Sequence, residues 1–263
     1  MNSDTPAYSV EQLSFSYGPI RCLSDITIEI GSGRFYGLIG PNGSGKSTLI
    51  DLLSAHLFAD EGTIQVGNEN IRSYSRRQLA RRLTSVPQSF SLNFDYRVED
   101  VVMMGRYPYI PRFSKPQKSD CDAVENALQS LDIEHLRTRK VTQLSGGEKQ
   151  RVMIARSLAQ ESDIILLDEV TSNLDINHAV SIMKVMLKMV ETHKKTVIAA
   201  LHDLNIASTF CDELIVLRDG YLVESGETSK VLSEHLIEDL YHIKSTISTD
   251  LSTSRKHIKY QLL

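Results

Sequence analysis

Hydrophobic and polar residues alternate in two segments near the start of the chain. Residues 8–15 and residues 26–30 follow a period of roughly two, which is typical of half-buried strands. The apolar run at residues 35–39 predicts a buried strand, and after a glycine-rich turn a helix is predicted from about Lys46. Its inner face is predicted to carry four leucines, Leu49, Leu52, Leu53 and Leu57. Strand, loop and helix in this order indicate an α/β fold.

The pattern changes between about residues 90 and 160. Prolines cluster at residues 108–116, and a helical spacing of apolar residues follows at 121–131 and again from about Gly146. Because this stretch lacks the short apolar runs of buried strands, it is predicted to be a mostly helical insertion.

The α/β pattern resumes after the insertion. Two apolar runs, residues 163–167 and 196–201, predict buried parallel strands. Residues 214–217 and 221–223, around a turn at 218–220, predict a terminal hairpin. The helix between the two parallel strands is predicted to face the core with Ile176, Val180, Met183, Leu187 and Val190. No element is predicted for the polar stretch that begins at Ser245.

Composition and charge limit the classes of function. The chain has 263 residues, 41% of them hydrophobic, and a formal net charge of -4, which supports a large core and argues against direct nucleic acid binding. Cys22, Cys121 and Cys211 are far apart and form no C-x-x-C pair, so neither a disulfide framework nor a zinc site is expected. No apolar run approaches the roughly 20 residues that span a membrane, and the N-terminus does not have the pattern of a secretory signal. Any work at a membrane is therefore expected to be done by docking.

The turn after the strand at residues 35–39 reads GPNGSGKST and matches the pattern G-x-x-x-x-G-K-[ST] of a phosphate-binding loop (P-loop). Its glycines let successive N–H groups approach a polyphosphate at a helix N-terminus. A helix terminus alone contributes only about 0.3–1 kcal/mol, so Lys46 and a Mg²⁺ ion bound by the Ser47 hydroxyl are also expected. The loop residues predicted to bind the nucleotide are Gly40, Asn42, Gly43, Ser44, Gly45, Lys46, Ser47 and Thr48.

Two adjacent carboxylates, Asp168 and Glu169, end the apolar strand that begins at residue 163. In a parallel sheet they would lie at the carboxyl edge, where ligands bind. Asp168 suits the surroundings of Mg²⁺, and Glu169 suits a base or a water-positioning group for attack on a γ-phosphate. The alternative, two surface acids that simply end a strand, becomes much weaker beside a phosphate-binding loop.

A third motif, LSGGEKQR at residues 144–151, precedes a helical pattern. Ser145, Gly146 and Gly147 would therefore form a second phosphate-binding surface at a helix N-terminus. With this motif the sequence resembles the ATP-binding cassette family, the nucleotide-binding subunits of ABC transporters, to about residue 240. The motif argues against a kinase or a GTPase, and no N-K-x-D guanine motif is present.

The resemblance implies the fold class: an α/β P-loop NTPase core, with a mixed sheet and flanking helices, an inserted helical subdomain and an N-terminal antiparallel β region. A single domain is expected over residues 1–263. It divides into a nucleotide-binding core at 1–89 and 161–225, a helical subdomain at 90–160, and a C-terminal helix and tail at 226–263.

The resemblance also implies a homodimer in which Ser145, Gly146 and Gly147 of one subunit close over ATP held by Lys46 of the other. Residue by residue, it implies that Tyr17 stacks on adenine, that Gln88 contacts Mg²⁺ and the attacking water, and that His202 contacts the γ-phosphate. It further implies that residues 172–175 cross the dimer interface. Taken alone, Tyr17 would more often be a packing residue, and His202 a core or capping residue. Val170 departs from the family, which usually has proline after the catalytic glutamate, and at most a modest local effect is expected.

Two segments, residues 101–109 and 171–178, look like those of importer cassettes for iron–siderophore complexes, haem and cobalamin. The resemblance then implies separate membrane permease subunits, an extracytoplasmic substrate-binding protein, and a peripheral location on the cytoplasmic face of the inner membrane. Residues 101–109 have an alternative interpretation, in which Met103 and Tyr107 are ordinary packing residues of the inserted subdomain. Two other functions stay open: a cassette for another substrate, such as molybdate or another metal, and a soluble regulatory ATPase without transport.

Overall fold

The computed structural model describes residues 5–88, 95–172, 174–250 and 255–261. The predicted strands at residues 8–15, 26–30 and 35–39 lie within strands of the structure, and those at 163–167 and 196–201 match strands to within one residue at an end. The strands are β1 (Tyr8–Tyr17), β2 (Ile20–Ile30), β3 (Phe35–Ile39), β4 (Glu61–Val66), β5 (Glu69–Asn70), β6 (Leu83–Val86), β7 (Ile164–Asp168), β8 (Thr196–Ala200), β9 (Glu213–Arg218), β10 (Tyr221–Glu227), β11 (Ser245–Thr249) and β12 (Lys256–Tyr260).

Helices cover both faces of the central sheet and form the inserted region. They are α1 (Lys46–Leu53), α2 (Arg76–Arg82), α3 (Val98–Met103), α4 (Lys118–Ser130), α5 (Gly146–Ala159), α6 (Ile176–His193), α7 (Leu204–Phe210), α8 (Thr228–Val231) and α9 (Glu234–Tyr241). Within the described ranges, no helix is both long and apolar enough to cross a membrane.

The central sheet has six strands in the order β10-β9-β3-β8-β7-β6. Neighbours from β9 to β6 pair in parallel, and β10 adds an antiparallel edge. A second sheet, β2-β1-β4-β5, is antiparallel throughout. The mixed α/β core and the N-terminal antiparallel region predicted from the sequence are therefore confirmed.

Successive residues of the central strands face two different cores, because side chains alternate across a sheet. Ile165, Leu167 and Val197 join the core that contains α5, α6 and α7. Leu166 and Ile198 join the other core, with α1 and the N-terminal sheet. Burial on both faces explains why β3, β7 and β8 read as continuous apolar runs.

The inserted region packs α3, α4 and α5 against one another around Val102, Leu128 and Val152, which are all fully buried. Its helical character agrees with the sequence. The exact boundaries of the predicted subdomains stay a prediction, and residue 90 lies outside the described ranges.

The predicted inner face of α1 is wrong at Leu57. The helix ends at Leu53, and Ala55 adopts a left-handed φ of 56°. The His56 N–H then donates to the Asp51 carbonyl at 2.9 Å, which is the closing bond of a Schellman turn. This turn moves Leu57 off the helix, where it packs against the core only in part.

The predicted inner face of α6 is wrong at Ile176, which is 72% exposed in the first turn of the helix. Val180 and Leu187 are only half-buried. The residues that α6 buries are Ala179, Ile182, Met183, Met186 and Val190.

The predicted terminal hairpin is confirmed as β9 and β10, but its loop has two residues rather than three. Asp219 and Gly220 have φ values of 51° and 81°, the positive values that a two-residue Asp-Gly turn uses. Arg218 is therefore the last residue of β9 rather than part of the turn.

The tail that the sequence left unassigned forms an antiparallel hairpin of β11 and β12, called the C-terminal hairpin below. Ile258 of β12 is 2% exposed and belongs to the main core. Side chains bond to part of the backbone of both strands: Asn205 and Ser208 bond to β12, and Glu234 accepts from Ile247 N–H of β11.

Candidate active site

Four neighbouring strands of the central sheet deliver the predicted site residues to one edge. In sheet order, β3 leads into the P-loop, β8 into His202, β7 into Asp168 and Glu169, and β6 into Gln88. Because these strands are parallel, their carboxyl ends lie side by side. The sheet order therefore brings together residues that are far apart in the sequence.

The P-loop requires glycine at its start and its end. Gly40 has a φ of 149°, and a Cβ there would overlap the carbonyl oxygen of Leu217 in β9. Gly45 is the residue that caps α1, with a left-handed φ of 98°. The backbone between them can therefore bend back and point N–H groups toward a ligand at the start of α1.

Ser44 identifies the loop as a binding site. Its side-chain oxygen is buried without a hydrogen-bond partner in the described part of the chain, and the residue is 2% exposed. Buried hydroxyls are normally paired, so an unpaired one inside a glycine loop fits a polar ligand such as a phosphate. The loop borders an open cleft of about 640 Å³, which is large enough for a nucleotide.

Lys46 lies at the base of this cleft and is only 4% exposed. Its Nζ donates to the carbonyl oxygens of Gly40 at 2.9 Å and Pro41 at 3.0 Å. Burial lowers the pKa of Lys46, and the nearby Glu169 and Asp168 carboxylates oppose that effect. Two backbone carbonyls of the loop therefore hold the Lys46 amine at the base of the cleft.

Ser47 and Asp168 form the oxygen pair predicted at a Mg²⁺ site. The Ser47 hydroxyl donates to Asp168 Oδ1 at 2.8 Å. Burial raises the pKa of Asp168, and the Ser47 hydrogen bond lowers it in part. In the described residues, no group of three or more His, Cys, Asp or Glu side chains could hold a metal by itself. Mg²⁺ bound beside nucleotides takes few protein ligands and uses phosphate oxygens and waters for the rest, so this pair fits the ion.

Glu169 is held from two sides. Gln88 Nε2 donates to Glu169 Oε2 at 2.6 Å, and His202 Nε2 lies 2.6 Å from Oε1. Glu169 has a φ of 49°, and a non-glycine residue in this region costs free energy and is frequent at functional sites. Two of the three predicted catalytic residues, Gln88 and His202, therefore each contact the third, Glu169, which lines the cleft.

Tyr17 is not among the residues that line the cleft, whereas Cys22 is. Tyr17 is 49% exposed and makes an edge contact with Phe15, at 4.9 Å between ring centroids, and it does not line the cleft. Cys22, which sequence reasoning treated as an ordinary thiol, does line it, with Sγ 3.2 Å from Thr48 Oγ1. Cys22 lies in β2, 26 positions before Thr48 in the sequence. No local sequence pattern therefore predicts that the two side chains meet.

The second phosphate-binding motif caps α5. Ser145 accepts from the Glu148 N–H, and its own N–H donates to the Glu148 carboxylate at 2.8 Å, which is a capping box. Ser145 and Gly146 are exposed, and nothing lies within 4 Å of a Cβ placed on Gly146. Residues 145–147 do not line the cleft beside Lys46, although Ser172 does. Asn173 lies outside the described residues.

Together these features define a P-loop nucleotide-binding protein with carboxylates beside the loop. A family model described as "ABC transporter" matches residues 23–172. The chain belongs to the ABC transporter family and is an ATP-binding cassette of it, a class of ATPases.

Curated relatives agree with this membership. The chain is 38% identical over 240 residues to the ferric enterobactin transport ATP-binding protein FepC of Escherichia coli, covering 91% of this chain and 89% of that one. It is 36% identical to the cobalamin import ATP-binding protein BtuD of Halobacterium salinarum, covering 89% of this chain. The chain spans only 58% of the length of that halobacterial relative.

Solved structures agree as well. A metal-chelate type ABC transporter in an inward-facing conformation matches with a TM-score of 0.84 and 30% identity, covering 98% of both chains. The dimeric structure of MJ0796, a bacterial ABC transporter cassette, matches with a TM-score of 0.76 and 28% identity, covering 84% of this chain and 98% of that one.

Proposed function

We propose that the chain is the ATP-hydrolysing subunit of an importer that takes up an iron–siderophore complex or a related metal chelate, such as haem or cobalamin. The contact of Gln88, Glu169 and His202 beside the P-loop supports hydrolysis. The names of the relatives, a ferric enterobactin transporter and a cobalamin importer among them, support the substrate class.

The residues of the site have separate roles in the proposed reaction. The backbone of the P-loop, the Ser44 hydroxyl and Lys46 bind the phosphates, and the exposed ring of Tyr17 is proposed to stack on the adenine. Ser47 and Asp168 would hold Mg²⁺, with Gln88 as a further contact, and the bound ion would neutralise charge on phosphate oxygens. Glu169 positions or deprotonates the attacking water, and His202 both orients Glu169 and contacts the γ-phosphate.

The working unit is proposed to be a homodimer. Ser145 and Gly146 are exposed and Gly147 is half-buried at a helix N-terminus, and none of the three lines the cleft of its own subunit. They are therefore able to close over the nucleotide of a second copy. Family membership and the dimeric structure of MJ0796 support this arrangement.

A second cleft supports docking to a separate membrane subunit on the cytoplasmic face of the inner membrane. This cleft of about 620 Å³ is lined by Met104, Tyr107, Pro108, Ile110, Gln160 and four arginines, Arg76, Arg77, Arg112 and Arg156. Burial lowers the pKa of Arg156, which makes no ion pair or hydrogen bond to any other described residue. A desolvated cation without a partner is costly, so the cleft suits an acidic segment of the permease.

Uptake assays test the proposed function. The chain, its permease and the associated extracytoplasmic binding protein are reconstituted in vesicles, and ATP-dependent uptake of an iron–siderophore complex, haem, cobalamin and molybdate is compared. Uptake of one of the three chelates supports the proposal. Uptake of molybdate alone, or ATP hydrolysis without any association with a permease, contradicts it.

Co-purification tests the docking surface. Arg156→Glu and the more exposed Arg76→Glu are expected to lose the permease in detergent, whereas Lys184→Glu on the outer face of α6 is expected to retain it. The isolated variants are expected to hydrolyse ATP like the wild type, because these arginines lie outside the nucleotide cleft. Unchanged co-purification of both arginine variants contradicts an acidic partner at this cleft.

A further inference from the structure

The C-terminal hairpin packs on α7, the helix that begins immediately after the His202 loop. Asn205 of α7 makes two hydrogen bonds with the backbone of one hairpin residue: its Oδ1 accepts from Ile258 N–H at 2.8 Å, and its Nδ2 donates to Ile258 O at 3.3 Å. One turn later, the Ser208 hydroxyl donates to Lys256 O at 2.5 Å. The hairpin thus contacts one face of α7 at two successive positions.

The hairpin is itself tied to the rest of the C-terminal region. Lys256 Nζ donates to Leu232 O at 2.6 Å, and Ile247 N–H donates to the Glu234 carboxylate at 2.7 Å. Ile258 is buried in the main core. The surface that the hairpin offers to α7 is therefore held by several independent contacts.

Asn205 also contacts the residue next to His202. Asp203 caps α7, and its Oδ1 accepts from the Asn205 N–H at 2.7 Å and from the Ile206 N–H at 3.1 Å. The backbone of Asn205 therefore bonds to the cap of the helix while its side chain bonds to the hairpin. His202 precedes this cap directly and reaches Glu169 at 2.6 Å.

We propose that Asn205 is a positioning residue: together with the C-terminal hairpin it fixes the start of α7 and, through Asp203, the orientation of His202 toward Glu169. This inference rests on the proposed ATP hydrolysis at the same site. It assigns a role in catalysis to a hairpin that lies outside the nucleotide cleft.

Steady-state ATP hydrolysis by the full-length chain tests the proposal. Asn205→Ala is expected to lower kcat about tenfold, because small misplacements of catalytic groups cost large factors in rate. The KM for ATP is expected to stay unchanged, because the P-loop contacts are intact. Ser208→Ala, a milder change, is expected to lower kcat in the same direction. Thr209→Ala is the matched control, since its hydroxyl bonds only within α7, to Asn205 O.

A double-mutant cycle with His202→Ala separates positioning from general stability. Asn205→Ala is expected to have no further effect on kcat when His202 is already absent. An equal loss in both backgrounds, or a kcat that is unchanged by both Asn205→Ala and Ser208→Ala, overturns the proposal. A wild-type chain that does not hydrolyse ATP overturns the proposed function and this inference with it, whereas hydrolysis that is indifferent to Asn205 overturns the inference alone.

Discussion

Side chains predicted to act on ATP already have partners within the chain. Lys46 is bonded to two loop carbonyls, Ser47 to Asp168, and Glu169 lies between Gln88 and His202. A bound nucleotide must therefore replace these hydrogen bonds within the chain with its own. Because one hydrogen bond is lost for each one formed, each contact adds only a modest binding free energy. Ser44 is the exception, because its buried hydroxyl is unpaired.

Glu169→Gln is expected to reduce ATP hydrolysis at least about 100-fold, the usual contribution of a general base. Glutamine keeps the size of the side chain and its contacts but cannot take a proton. ATP binding is expected to persist and to trap a closed dimer, which size-exclusion chromatography with ATP detects. Glu224→Gln on an exposed strand is the control, and unchanged steady-state hydrolysis in Glu169→Gln would refute the catalytic assignment.

Lys46→Ala is expected to weaken nucleotide binding, because it removes a cation that the Gly40 and Pro41 carbonyls hold at the base of the loop. The dissociation constant for a fluorescent ATP analogue measures the effect. Lys184→Ala, on an exposed helical position, serves as the comparison. Equal affinities of the two variants would show that Lys46 does not reach the phosphates.

At the scale of elements, the capping box of α5 links helix stability to pH. The Ser145 hydroxyl and N–H hold the pKa of Glu148 below its usual range. A carboxyl with a depressed folded-state pKa stabilises the protein above its unfolded pKa of about 4.3. That stability is lost as the pH falls through the folded-state pKa.

Glu148→Gln is therefore expected to lower the melting temperature slightly at pH 7 and by less at pH 3. Calorimetric melting at both pH values measures the difference. Glu191→Gln, on an exposed position of α6, is expected to change neither value. A loss for Glu148→Gln of the same size at pH 3 would contradict the electrostatic origin of the effect.

Gly105 sets the distance between α5 and the turn after α3. A Cβ on Gly105 would overlap the carbonyl oxygen of Arg156, so backbone rather than a flexible side chain would have to move. Gly105→Ala is expected to cost about 1–3 kcal/mol of unfolding free energy. Urea denaturation measures it, with the unhindered Gly146→Ala as the matched control, and equal stability of the two variants would contradict this packing.

At the scale of the whole molecule, the proposed homodimer requires each subunit to supply one part of each ATP site. Residues 145–147 are not among the residues that line the cleft at Lys46. In an isologous pairing with two-fold symmetry, each copy would supply these residues to the cleft of the other.

Mixing two inactive variants tests this arrangement. Lys46→Ala and Gly146→Asp are each expected to lack hydrolysis, and Asp at Gly146 is tolerated in the fold because the space around it is open. An equimolar mixture is expected to regain part of the wild-type rate, since a mixed dimer has one complete site. Mixtures of Lys46→Ala with Glu169→Gln, which damage the same half, are the control and should stay inactive. No recovery in the first mixture would contradict a shared site.

Local sequence identified most of the site because its motifs are contiguous. The P-loop, the Asp168-Glu169 pair and the Ser145 helix start each combine a backbone geometry with adjacent side chains, and each lies where its pattern predicts. The strands β3, β7 and β8 could also be predicted from the sequence, because burial on both faces of the sheet leaves an unbroken apolar run. The predicted inner face of α6 was wrong at Ile176, because the spacing of apolar residues does not show at which turn a helix begins to pack against the core.

The sequence by itself determined the family, the P-loop and the type of chemistry, because these depend on residues that are neighbours in the chain. Only the tertiary structure decided that Gln88, Glu169 and His202 touch, because the order of strands in a sheet is set by packing between distant segments. It also placed Cys22 in the cleft and the C-terminal hairpin on α7. Such contacts join residues separated by tens of positions, and no local pattern encodes them.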